Sequence, residues 1–227
     1  MTLQAILFDH DGTLVDSEAV NLRLWRQALE PWGLTISDEL YWRRMLGVPI
    51  RQNAADILQL HRPDASIDEL VAAKLAANAA YLATACFPQI AGADTVVRDL
   101  ACRLRLGMVS ASQRNCVQAS LRGHAWEPLF EQVVTGDDVA RNKPAPDGYL
   151  RALELMQLQP QHCIVVEDTE VGVRAARAAG LRVVAIRSPE AQSHDFSSAT
   201  VIVQNLVEAH GWIRRQLTDS STTQETP

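Results

Sequence analysis

Five short aliphatic runs set the strongest constraint on this chain, because each is apolar at every position rather than at alternate ones. They are Ala5–Phe8, 106–109, 133–134, 164–166 and 183–186. A strand with no polar face has to be covered on both sides, as the interior strands of a parallel sheet are. A sixth run, 200–203, opens on Thr200 and reads as an edge strand. Helical patterns fill the intervals at 93–104, 113–121, Asp147–Met156 and 171–179. This alternation predicts an α/β fold built on a doubly wound, mainly parallel sheet.

The alternation stops once. Between Ser17 and Cys86 the apolar spacing is helical: Val20, Leu24 and Ala28 share a face, as do Tyr41 with Met45 and Leu75 with Ala79. Pro31-Trp32-Gly33, Gly47-Val48-Pro49 and Arg62-Pro63-Asp64 divide the stretch into segments. It is too long for a loop, so residues 17–86 are expected to form an all-helical domain inserted after the first strand. The core domain is then discontinuous, 1–16 with 87–217. The polar, aperiodic stretch 218–227 is expected to be a disordered tail.

Composition narrows the partners. Of 227 residues 47% are hydrophobic, enough for the cores of two modest domains. The formal charge is -6, with Lys and Arg dispersed among carboxylates, which argues against a nucleic-acid partner. Cys86, Cys102, Cys116 and Cys163 form no C-x-x-C pair and read as reduced thiols, and the histidines make no H-x-x-x-H zinc pair. The apolar run after the first Met is too short for a signal peptide, and no run reaches membrane-spanning length. A soluble, cytoplasmic monomer acting on a small molecule is expected.

The chemistry-bearing residues stand at the ends of the expected strands, where open α/β sheets bind ligands. The first strand ends in Asp9-His10-Asp11-Gly12-Thr13. Carboxylates spaced i, i+2 can face one crevice, although Asp-x-Asp-Gly also caps ordinary turns. A later strand ends in Glu167-Asp168-Thr169. Those acids read equally as a solvated helix start, with Thr169 as N-cap, or as partners of Asp9 and Asp11 in an oxygen-rich Mg2+ site. Ser110-Ala111-Ser112 places a hydroxyl and turn amides where a helix begins, a setting that favours an anion. Lys143 lies in Asn142-Lys143-Pro144-Ala145-Pro146, where flanking prolines fix a lysine that would otherwise read as solvated.

Taken in order, these four elements resemble the haloacid dehalogenase superfamily, in particular its phosphatase-like members with an α-helical cap after the first motif. Asp9-His10-Asp11-Gly12-Thr13-Leu14-Val15-Asp16-Ser17-Glu18 is similar to motif I, Ser110 to motif II, Lys143 to motif III and Glu167-Asp168 to motif IV. The resemblance implies Asp9 as nucleophile, forming an aspartyl-phosphate, and Asp11 as general acid and base. It implies Mg2+ held by Asp9, the Asp11 carbonyl and Asp168, with Glu167 in support. Ser110, the Ala111 amide and Lys143 would bind the phosphoryl oxygens. The expected activity is Mg2+-dependent hydrolysis of a small phosphorylated metabolite, such as a sugar phosphate.

Three rival readings are set against this. The β-phosphoglucomutase-like branch shares the cap and all four motifs but carries a histidine in the first cap helix, where this chain has Asn21; an amide cannot shuttle a proton near neutral pH. Phosphonate hydrolysis needs a Schiff-base lysine from the cap, and the cap's lysine, Lys74, sits among alanines and reads as solvated. A phospho-accepting receiver module combines similar groups, but without a helical insert. Specificity is expected from the cap, with Gly47 and Arg51 in the loop 46–51 and Asn21 as candidates.

Overall fold

The computed structural model describes residues 2–45, 48–188 and 194–221. The chain divides into two compact units, one made of the residues up to Asp16 and from Pro88 onward, the other of Ser17–Phe87.

The first unit is a six-stranded sheet in the order β3-β2-β1-β4-β5-β6, with every neighbouring pair parallel. Its strands are β1 (Ala5–Phe8), β2 (Arg105–Val109), β3 (Gln132–Val134), β4 (Cys163–Glu167), β5 (Arg182–Ile186) and β6 (Val201–Val203). Four of the five runs read as doubly covered are interior, and all four residues of β1 are 0% exposed, so each pleat face meets a helix layer. The fifth, β3, lies at one edge of the sheet with Val133 half-buried. The edge strand β6 behaves differently, leaving Ile202 exposed.

Register is what builds the site. Phe8 pairs with Met108 on one side and with Val166 on the other, so the residues just after β1, β2 and β4 leave the sheet at one edge. The crossings between strands include α5 (Ala93–Ala101), α6 (Arg114–Gly123), α7 (Asp147–Met156) and α8 (Glu170–Ala178). Thr169 caps α8 as expected, its hydroxyl accepting from the Gly172 amide at 3.2 Å. The closing helix α9 (Leu206–Ser221) runs four residues into the stretch expected to be a tail, and residues 222–227 lie outside the described residues.

The second unit is helical. It contains α1 (Glu18–Leu29), α2 (Asp38–Leu40) leading into a π-helical turn Tyr41–Met45, α3 (Ile50–His61) and α4 (Ile67–Leu82). Leu22, Trp25, Leu29, Ile36, Tyr41, Met45, Ala54, Ile57 and Leu70 form its core. Val20, Leu24 and Ala28 are buried as their spacing predicts. The face of α4 is not the expected one: Leu75 and Ala79 point to solvent, and the buried stripe is Leu70, Lys74, Ala77 and Asn78. Alanine-rich α4 has little apolar contrast around its circumference, so polar partners rather than hydrophobic spacing set its rotation.

Candidate active site

Gly12 closes the turn after β1. Its φ is +75°, and the turn is held by Gly12 N–H to Val15 O (2.9 Å) and Leu14 N–H to His10 O (2.9 Å). That conformation suits glycine. A Cβ there would also lie 2.0 Å from Asp168 Oδ2, so the missing side chain is the space in which the Asp168 carboxylate sits. Thr13 reaches the other Asp168 oxygen, Oγ1 to Oδ1, at 3.3 Å.

The two aspartates of the first motif have different surroundings. Asp9 is buried, and Lys143 Nζ donates to its Oδ1 at 2.5 Å. Burial pushes the Asp9 carboxyl up to about 7, the Glu167 charge adds to this, and Lys143 pulls against it. Asp11 is 24% exposed, and its Oδ2 accepts from Ser112 Oγ at 2.6 Å and from Ser110 Oγ at 3.3 Å. His10, wholly buried, brings Nδ1 to 3.1 Å from the same oxygen.

Lys143 has three acceptors: Asp9 Oδ1, Glu167 Oε1 at 2.6 Å and Val109 O at 2.9 Å. Burial alone would lower its pKa, but the Asp9 and Glu167 charges more than reverse this and hold it above the ordinary lysine value. Glu167, 0% exposed, is braced on both oxygens, since Tyr149 OH donates to Oε1 at 2.7 Å and Thr169 Oγ1 to Oε2 at 3.1 Å. The phenol of Tyr149 is held well above its usual pKa, mainly by burial and then by the Glu167 and Asp9 charges. A Cβ at Gly172 would lie 2.0 Å from the Glu167 carboxylate, so here too a glycine makes room for an acid.

Carboxylate oxygens of Asp9, Glu167 and Asp168 all lie within 4.8 Å of one another. Asp168 is raised well above the usual carboxylate range, by burial first and then by Asp9 and Glu167. Three acids converging with one lysine leave net negative charge that a hard cation would neutralise, and the all-oxygen donor set suits Mg2+ rather than a softer metal. The residues fit such an ion.

The sheet edge therefore gathers Asp9, Asp11, Ser110, Lys143, Glu167 and Asp168. Ala111 follows Ser110 on an exposed turn packed closely against Gly136, where a Cβ would lie 2.4 Å from Ala111 O. Ser112, Tyr149 and Thr13 were not singled out from sequence. Ser112 carried a readable signal, being spaced i, i+2 from Ser110 at a strand end; Tyr149 carried none, since an aromatic residue early in a helix normally packs a core.

The expected specificity residues belong to the helical unit. Arg51 is exposed and donates to Asp68 Oδ1 at 2.8 Å, while Gly47 lies outside the described residues. Asn21 Oδ1 accepts from Lys74 Nζ at 3.2 Å. Lys74, expected in solvent, is instead 1% exposed, bonded to Asn78 Oδ1 at 2.5 Å and 5.7 Å from the Trp25 ring centroid. Amide acceptors and an indole face offset part of the cost of its burial.

Comparison with known proteins identifies the family. A sequence model of haloacid dehalogenase-like hydrolases matches residues 6–186. "Protein CbbY" of Rhodobacter capsulatus is 33% identical over 222 residues, covering 92% of this chain and 96% of that protein. "Fructose-1-phosphate phosphatase YqaB" of Escherichia coli is 32% identical over 182 residues, covering 80% of this chain and 95% of that protein. The crystal structure of CbbY from Rhodobacter sphaeroides in complex with phosphate superposes with a TM-score of 0.78 at 26% identity, covering 91% of this chain and 96% of that one. The chain belongs to the haloacid dehalogenase-like hydrolase family.

Proposed function

We propose that this protein is a Mg2+-dependent phosphatase that hydrolyses a small phosphorylated metabolite, of the sugar phosphate class, through phosphoryl transfer to Asp9. The observation that carries the reading is the contrast between the two aspartates. Asp9 is buried and clamped by an ammonium, whereas Asp11 is partly exposed and held by two serine hydroxyls. Paired acids in unlike settings are what a division into nucleophile and proton carrier requires.

In this mechanism Asp9 attacks phosphorus through a carboxylate oxygen, and Lys143 fixes its direction. Asp11 gives a proton to the departing oxygen and then takes one from the water that hydrolyses the phosphoaspartate. Ser110 Oγ, the Ala111 amide and Lys143 receive the phosphoryl oxygens. Mg2+, held by Asp9, Asp168 and the Asp11 carbonyl, would supply charge neutralisation for the transferring group, with Glu167 acting on it through the shared cluster. The fructose 1-phosphate named for the E. coli relative supports the substrate class.

The experiment is phosphate release from a panel of phosphomonoesters, with and without Mg2+. Stoichiometric release that EDTA abolishes is expected. Turnover of none of them, or full turnover in EDTA, would overturn the reading. A single phosphorylation with no steady release would point instead to a receiver-type module.

A further inference from the structure

Tyr149 brings a buried phenol from α7 into the site, and none of the roles above uses it. Its ring is 0% exposed. The hydroxyl donates to Glu167 Oε1 at 2.7 Å, the same oxygen that accepts from Lys143 Nζ at 2.6 Å. The Lys143 Nζ lies 5.4 Å from the ring centroid, within range of the negative π face. One side chain therefore touches both members of the ion pair that stands against Asp9.

The neighbours of Glu167 leave that contact decisive. Gly172 lies so close that a Cβ there would overlap the carboxylate at 2.0 Å, and Thr169 occupies Oε2 at 3.1 Å. What remains to be set is how strongly Oε1 draws on the lysine. A lysine ammonium on its flexible stem takes its direction from its acceptors. Here these are Asp9 Oδ1, Glu167 Oε1 and Val109 O. With the phenol donor gone, Glu167 Oε1 would be satisfied by Lys143 alone and would pull the ammonium toward itself, away from Asp9.

We propose that Tyr149 is a positioning residue: by donating to Glu167 Oε1 and turning its ring to Lys143, it holds the ammonium in register with the Asp9 carboxylate. The proposal rests on the reading of Asp9 and Lys143 as the phosphoryl-transfer pair.

Tyr149→Phe tests it, keeping the ring and its packing and removing only the hydroxyl. Loss of one buried hydrogen bond lowers Tm by about 2–4 °C. On the best substrate of the panel, kcat is expected to fall by about tenfold, with KM within about twofold. In protein labelled with 15N-lysine, the Lys143 ammonium signal, assigned by its loss in Lys143→Arg, is expected to shift and to exchange faster with water. In a Glu167→Gln background, where the path is already broken, Tyr149→Phe is expected to cost less than about twofold. An unchanged ammonium signal, or penalties that simply multiply in the double variant, would overturn the proposal. If wild type hydrolyses no phosphomonoester, the functional reading falls, and the ammonium signal still decides whether Tyr149 positions Lys143.

Discussion

Gly12→Ala separates what the first turn does for the fold from what it does for the acids beside it. The alanine would keep the +75° φ, a left-handed conformation that costs a non-glycine residue about 1–2 kcal/mol. In a chain of this size that lowers Tm by about 2–8 °C. The larger effect is local. A Cβ 2.0 Å from Asp168 Oδ2 and 2.8 Å from its Cγ cannot be accommodated unless the carboxylate rotates, and rotation breaks the Thr13 contact at 3.3 Å. Displacing an oriented metal-binding group typically costs about 10–100-fold in metal affinity, so the Mg2+ concentration for half-maximal activity should rise by that factor. Gly33→Ala is the control: its φ is +65°, but a Cβ there meets nothing within 4 Å. It should lower Tm by a similar amount and leave the Mg2+ curve in place. Paired Mg2+ titrations of phosphate release and thermal melts read both effects. Equal Mg2+ curves for the two variants would refute the assignment of Asp168 to the metal.

Asp9→Asn should abolish turnover with the fold retained, and beryllium fluoride with Mg2+ should stabilise wild type but not the variant in a thermal melt. Asp11→Asn should reduce kcat by roughly 100-fold or more, the scale for losing a general acid or base, with little change in the Mg2+ midpoint because the backbone carbonyl remains. The Asp99 carboxyl is held down at about 2, first by the His210 hydrogen bond and further by Arg214 and Arg103. Its contribution to stability is present above its ordinary value near 3.8 and is lost as pH falls toward 2, so the Tm gap between wild type and Asp99→Asn should narrow over that window.

The sheet was legible because burial on both faces leaves an unmistakable trace: β1 is apolar at each of its positions, and the helix Asp147–Met156 matches its pattern residue for residue. The motif acids were legible only together with Ser110 and Lys143 in chain order, since Asp-x-Asp-Gly alone also caps a turn and Glu167-Asp168 alone also starts a solvated helix. What stayed hidden was support. The Tyr149 hydroxyl and the space left by Gly172 act through contacts between α7, β4 and α8, and no local spacing encodes such a contact. Lys74 was hidden for the opposite reason. Its type predicts solvent; Asn78 lies one helical turn away at i,i+4, but only the fold brings Asn21 to its ammonium.

The Asn21–Lys74 contact enters the choice between the proposed hydrolysis and the mutase reading. The resemblance to the β-phosphoglucomutase-like branch implies a histidine at the position of Asn21 in a mutase. Here the Asn21 amide has no proton to yield near neutral pH, and its oxygen already accepts from Lys74 at 3.2 Å. Asn21→His would set an imidazole within reach of Lys74. The substituted histidine would not by itself make an efficient mutase, which also needs contacts for a second phosphate. Wild type and Asn21→His are both expected to release phosphate in proportion to β-glucose 1-phosphate or other sugar phosphate consumed, with or without the matching bisphosphate. A phosphate balance decides it: glucose 6-phosphate formed only when bisphosphate is present, with little free phosphate, would mean that the cap delivers a second sugar phosphate to the phosphoaspartate faster than water reaches it.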